Sequence, residues 1–187
     1  MRMNIQTILL AVFAVLALWL ATAFNSLVRL RNRAKEAISD IDVQLKRRFD
    51  LIPNLIETVK GYMQHEKSVL ENVTKARGAV MNMSANNPLD RDNAEKQLSS
   101  TLKTLFAVSE NYPDLKANAN FLDLQRELAD TENKIQASRR FYNTMVMDLN
   151  TKVQSFPTNM IAKWLGFSEE KFFETSGAER EVVKVKF

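Results

Sequence analysis

The stretch QLKRRFDLIPNLIETVKGY (Gln44–Tyr62) decides the fold. With Ile38 as position a of a heptad, the a and d residues are Ile38, Ile41, Leu45, Arg48, Ile52, Leu55, Val59, Tyr62, Glu66, Val69, Val73, Ala76 and Val80. Eleven of these thirteen are apolar, which describes a long amphipathic helix with a packing seam and not an alternating strand. Pro53 lies inside this run, and two readings are open there. It kinks one helix, freeing the carbonyl of Phe49 four residues back. Alternatively the chain breaks, with Asp50 as N-cap and Pro53 in the first turn of a new helix, where its missing N–H costs little. A kink gives three bundle helices and a break with reversal gives four.

Further along, SANNP ends the first long helix, and Asn87-Pro88 followed by Asp90 reads as N-cap, first helical residue and acidic first turn. Leu98, Leu102, Leu105 and Val108 or Ser109 continue a helical stripe that Tyr112-Pro113 stops. A third seam runs through Phe121, Leu124, Leu128, Thr131, Ile135, Ser138, Tyr142, Met145 and Leu149 as far as Phe156-Pro157. NMIAKWLGF (159–167) reads as a short amphipathic helix closed by Gly166. The last residues, EREVVKVKF, alternate weakly, as an extended arm would. The expected fold is all-α: an N-terminal transmembrane helix followed by an antiparallel up-and-down bundle of long helices. The expected division is 1–28 anchor, 29–155 cytosolic bundle, and 156–187 short helix and tail.

Between Arg2 and Arg29 lie 26 uncharged residues, centred on ILLAVFAVLALWLATA (8–23). About 20 apolar residues cross a hydrocarbon core of roughly 30 Å. Trp19 and Phe24 lie toward one end. Ala21-Thr22-Ala23 also fits a small-x-small cleavage pattern, so a removed leader is the rival to a retained anchor. The retained anchor is preferred because Arg29, Arg31, Arg33 and Lys35 follow at once. Such cations resist translocation and orient the chain with its N-terminus outside and its C-terminal domain cytoplasmic. The same cluster is a candidate contact for anionic lipid.

Charge sharpens this. Residues 1–60 hold nine Lys/Arg and five Asp/Glu, whereas the other 127 residues hold 17 of each. The net charge of +4 is therefore local, which excludes a nucleic-acid-binding face spread over the domain. The absence of Cys excludes disulfides, thiolate nucleophiles and zinc ribbons. His65-Glu66 resembles the start of a zincin motif, but the sequence is HEKSV and there is no second His. Asp40 and Asp42 lie on different helix faces, so no carboxylate site for magnesium is visible. No catalytic, metal or cofactor residue is assigned, and no cofactor is expected.

Two seam positions carry charge, Arg48 and Glu66. They stand 18 residues apart, about 27 Å on a straight helix, so unless the chain reverses at Pro53 their partners come from other helices. The segment ELADTENKIQASRRFYN (127–143) offers Glu127, Asp130, Glu132, Arg139 and Arg140, with Thr131 and Ser138 on the seam. A buried polar layer containing Arg48, Glu66, Asp130, Thr131, Ser138 and Arg139 is expected, fixing register or forming a ligand or partner site. Trp164, Phe167, Phe172 and Phe173 form a candidate C-terminal apolar patch, for packing within the protomer or for contact.

Three separated blocks carry a resemblance: LVRLRNRAKEAISDIDVQLKRRFDLIPNLIETVKGYMQHEK (27–67), YPDLKANANFLDLQRELADTENKIQASRRFYN (112–143) and FPTNMIAKWLGF (156–167). In this order, and with the terminal KVKF, they resemble the LemA family of bacterial membrane proteins. The resemblance implies one N-terminal transmembrane helix with a short outside terminus, and a cytosolic up-and-down bundle, favouring four helices. It implies no established activity and no catalytic residues. One member of that family acts in forming magnetosome compartments, which by analogy adds weight to a membrane-organising role. The expected function is a non-enzymatic, membrane-anchored scaffold that self-associates or binds other membrane proteins. A signalling relay through a helix kinked at Pro53 is the alternative.

Overall fold

The computed structural model describes residues 4–82 and 88–173. The end of SANNP, the Asn87 cap and the terminal arm lie outside the described residues. Among the described residues six helices follow one another: α1 (Ile5–Lys60), α2 (Lys67–Met81), α3 (Pro88–Ser109), α4 (Pro113–Lys116), α5 (Ala119–Gln154) and α6 (Asn159–Ala162). Among the described residues there is no strand. The chain divides into two units, Met1–Ala37 with Arg140–Phe187, and Ile38–Arg139. The boundaries expected at 28/29 and 155/156 both fall inside the first of these.

The second unit is the bundle, and its order can be read from side-chain pairs. Asp42 meets Arg91, Arg48 meets Ser99 and Glu66 meets Tyr112, so α1 and α3 run in the same direction. Arg47 meets Glu127 while Tyr62 meets Asn118, so α5 runs the opposite way. Arg77 of α2 reaches back to Phe49, which sets α2 antiparallel to α1. This is an up-down-up-down arrangement of four helices. Its core joins Ile52, Leu55 and Val59 of α1 to Leu70, Val73, Ala76 and Val80 of α2, Leu98, Leu102 and Leu105 of α3, and Phe121 and Leu128 of α5. Each fully buried aliphatic or aromatic side chain contributes about 1.5–3 kcal/mol, so the seams carry the stability of this unit.

The reversal that makes four helices is not at Pro53. Helix α1 passes through Asp50 and Pro53 without a break, so Asp50 caps nothing. The carbonyl of Phe49, freed by the proline ring, accepts a hydrogen bond from Arg77 Nε at 3.1 Å. A cation from the neighbouring helix thus replaces the lost backbone donor. The chain turns instead at Gly61–Glu66, where the heptad had suggested continuous helix. Met63, fully buried, plugs the end of the core there. Tyr62 is 40% exposed, and its hydroxyl accepts a bond from Asn118 at 3.1 Å. Tyr62 and Glu66 therefore tie down the turn and do not continue the seam.

In the first unit, every apolar side chain from Ile5 to Leu18 is exposed. Between two and three turns later α1 changes character. Leu27 is buried with Leu149 and Val153 of α5, and with Ala162 and Phe167 beyond it. Helix α5 ends at Gln154, ahead of a cis Phe156-Pro157 bond, and helical turns resume through α6. They close on Gly166 at φ 76°, where Phe167 N–H reaches Ala162 O at 2.9 Å and Gly166 N–H reaches Lys163 O at 3.1 Å. That pair of bonds is a Schellman cap, whose left-handed position favours glycine. It turns Phe167 back onto the base of α1.

Candidate functional site

The concentration of charge inside the bundle begins with Arg48, only 3% exposed. Its heptad position points it inward between Leu45 and Ile52, so its guanidinium must find partners in place of water. Nη1 donates to Glu132 Oε2 of α5 at 2.8 Å, and Nη2 donates to Ser99 Oγ of α3 at 3.0 Å. Ser99 in turn donates to the same Glu132 oxygen at 3.1 Å, and Gln136 donates to the other at 3.1 Å. Burial lowers the pKa of Arg48, against the pull of Glu132 and Glu95.

A second node adjoins it. Arg139 of α5 pairs with Glu95 at 2.5 Å and Asp92 at 3.0 Å, both on α3. Arg91 reaches Glu95 at 3.5 Å and Asp42 of α1 at 2.5 Å, and Lys96 pairs with Asp92. Burial raises the pKa of Glu95, while Arg139 and Arg91 oppose the shift. Four cations (Arg48, Arg91, Lys96, Arg139) therefore face four carboxylates (Asp42, Asp92, Glu95, Glu132) across α1, α3 and α5. The layer is neutral, and charges matched this way define one register between three helices.

The residues singled out from sequence are distributed unevenly over this layer. Arg48 and Arg139 are in it. Thr131 is fully buried, and its hydroxyl donates to Leu128 O of its own helix at 2.8 Å. Ser138 is half-buried on the same helix. Asp130 lies outside the layer, in partly exposed pairs with Lys134 and Arg47. Glu66 is elsewhere, accepting from Tyr112 Oη at 3.3 Å beside the first reversal. Arg91, Asp92, Glu95 and Ser99 were missed. Extending the Leu98-Leu102-Leu105 stripe back by one heptad reaches Arg91 and Glu95, and that signal could have found them.

Near the other end of the bundle is a cleft of about 900 Å³, with Ile56, Met63 and Leu70 below and Lys60, Lys67 and Lys75 around it. Thr74, also at the cleft, spends its hydroxyl on Leu70 O. Among the described residues, no group of three or more His, Cys, Asp or Glu is placed to hold a metal.

In the first unit the basic cluster splits. Arg29, Arg33 and Lys35 are exposed, but Arg31 is half-buried, with its guanidinium 4.7 Å from the Phe167 ring centroid. The four are therefore not equivalent lipid contacts, because one is used inside the fold. The expected C-terminal patch also divides. Phe167 is buried edge-on to Phe24, and Phe173 is buried edge-on to Tyr142. Trp164 and Phe172 remain exposed. The segment Glu170–Phe173 is held by two asparagines that sequence reasoning had not singled out. Asn143 exchanges two hydrogen bonds with the Phe173 backbone, and Asn150 does the same with Glu170. Seven residues of helix and three of extended chain both span about 10 Å, so the two amides on one face of α5 match the segment they hold.

A helical bundle with a charge-matched layer, preceded by a helix long and apolar enough to cross a membrane, defines a class of membrane-associated helical-bundle proteins. The chain belongs to the LemA family, whose pattern matches residues 37–187. Protein LemA of Metamycoplasma hominis is 30% identical over 158 residues, covering 83% of this chain and 71% of that protein. Magnetosome protein MamQ 2 of Paramagnetospirillum magneticum is 21% identical over 179 residues, and MamQ of Magnetospirillum gryphiswaldense is 20% identical. The chain spans 66% of the length of each of these magnetosome proteins.

Proposed function

We propose that this protein is a non-enzymatic scaffold, anchored by α1 in the bacterial inner membrane, that displays its bundle on the cytoplasmic side and assembles with itself or with other membrane proteins there. The observation that carries the reading is the contrast along α1. From Ile5 to Leu18 its apolar side chains are exposed, whereas Ile41, Leu45, Ile52, Leu55 and Val59 are buried. Only the first stretch needs an apolar environment from outside the chain. The exposed cations Arg29, Arg33 and Lys35 support the inward orientation and contact with an anionic leaflet. The names of the magnetosome relatives lend weight to a role in organising membrane.

The relay reading placed its moving part at Pro53. There Arg77 satisfies the carbonyl freed by the ring, which favours the helical form of that turn. The scaffold is therefore preferred. Light scattering on the full chain extracted in detergent tests it. A defined assembly of several copies is expected, and a strict monomer at all concentrations would count against self-association. Protease added to intact cells should spare the bundle, whereas digestion from outside would reverse the topology.

A further inference from the structure

Within the first unit, the turns around α6 bury one side and leave the other bare. Ala162, Leu165 and Phe167 face α1. Phe156, Met160 and Trp164, spaced four apart, are 79%, 73% and 82% exposed. Three large apolar side chains in one row are costly in water unless something covers them.

We propose that this row is a second membrane contact, an interfacial foot that sets Phe156, Met160 and Trp164 into the boundary between lipid headgroups and acyl chains where α1 leaves the bilayer. The proposal rests on the reading of α1 as a membrane anchor. Three observations select lipid as the occupant.

The first is position. From Ile5 to Thr22 no side chain of α1 is buried, and all but the half-buried Trp19 and Leu20 are exposed. These 18 residues rise about 27 Å, close to the roughly 30 Å of a hydrocarbon core. The foot is fastened just beyond them. Phe24 meets the Phe167 ring with centroids 6.0 Å apart, Lys152 is hydrogen-bonded to Ser26 Oγ, Leu27 is buried among the foot's inward residues, and Arg31 covers Phe167. The exposed row therefore lies at the depth where the naked part of α1 ends.

The second is charge. From Lys152 to Ser168 there is no carboxylate, and the charges are Lys152 and Lys163. Exposed Lys163 sits next to Trp164, while Arg29 and Arg33 are exposed on α1. Cations flanking a bare apolar row suit an anionic headgroup layer, into which a lysine stem can extend while its ammonium stays hydrated. The third is residue type. Tryptophan joins a large apolar ring to one N–H donor, which matches the interface better than the bilayer centre.

The full chain has two tryptophans, Trp19 in α1 and Trp164 in the foot, and each serves as a reporter. The Trp19→Phe and Trp164→Phe variants would be reconstituted in vesicles of phosphatidylcholine and phosphatidylglycerol, with bromine placed at shallow or deep positions on the phosphatidylcholine chains. In Trp19→Phe protein, Trp164 emission is expected to be blue-shifted and to lose most of its intensity to shallow bromine, with less loss to deep bromine. Adding Phe156→Ser and Met160→Ser should weaken that quenching. Trp164 emission that bromine leaves untouched and aqueous acrylamide quenches would overturn the foot. Emission shielded from both would also overturn it, in favour of cover by a second copy. In Trp164→Phe protein, Trp19 reports separately on the anchor. Quenched Trp19 beside unquenched Trp164 defeats the foot alone, whereas unquenched Trp19 defeats the anchor reading itself.

Discussion

The charged layer of the bundle and the apolar row beside α6 break the same rule in opposite senses. In one, Arg48 and Glu95 are charged groups inside a core. In the other, Phe156, Met160 and Trp164 are apolar groups outside one. The first exception is resolved within the chain, where each charge has a partner of opposite sign or a hydroxyl. The second has no such answer among the described residues and directs attention to the surroundings. Buried polarity in this protein is answered by pairing within the bundle, and exposed apolarity marks where we propose a contact.

The largest effect should come from breaking the layer on one side only. Glu132→Ala leaves Arg48 buried without its carboxylate and is expected to cost about 3 kcal/mol, at the low end for a buried pair because Glu132 is partly exposed. Arg48→Met combined with Glu132→Leu removes both charges and should return stability to within about 1 kcal/mol of the parent. Urea unfolding of the full chain in detergent, followed by circular dichroism, measures both. If the double variant is as damaged as the single, the layer does more than satisfy its own charges.

Arg77→Met tests the same principle on the backbone. Removing the donor to Phe49 O should cost about 1–2 kcal/mol. In a Pro53→Ala background, residue 53 regains its N–H and the cost of Arg77→Met should fall by about 1 kcal/mol, which a double-mutant cycle reads directly. Gly166→Ala addresses the other region. A methyl group there meets nothing within 4 Å, so the expected loss of about 1 kcal/mol comes from the left-handed backbone alone. Hydrogen exchange at Leu165 and Phe167 should rise, while exchange in the core of the bundle should not.

The titration of Glu95 gives a smaller effect. Burial raises its pKa in the folded state, with Arg139 and Arg91 opposing. The folded protein therefore binds this proton more tightly than the unfolded chain. The stability gained from that proton is fully present below the unfolded value of about 4.3 and is lost as pH rises through the folded value. Relative to Glu95→Gln, the parent should gain stability as pH falls toward 4.3. A difference that instead grows with rising pH would mean that the ion pairs outweigh burial. Smallest of all should be Trp164→Ser, within about 0.5 kcal/mol in detergent, since an exposed side chain is not what holds the fold.

Much of this was legible before any tertiary structure. The uncharged run before Arg29 announced a membrane-spanning length, and the seams of α1 and α5 announced helices. The stop ahead of Pro113 follows from the restriction that proline places on the residue before it, and the one at Gly166 from a permitted positive φ. Arg48 stood out because a charge at a core position must have a reason. These inferences are local, resting on the 3.6-residue repeat and on backbone sterics, which each residue carries with it. The first reversal was not legible, because Tyr62 and Glu66 keep the heptad phase through the turn at Gly61–Glu66, and Gly61 was the lone weak sign against helix. Nor did the sequence disclose that Arg48 would meet Ser99 and Glu132, or that Phe167 and Phe173 would be buried while Trp164 and Phe172 stayed out. Those outcomes depend on which helix faces are brought together across many residues, and only the assembled tertiary structure specifies that.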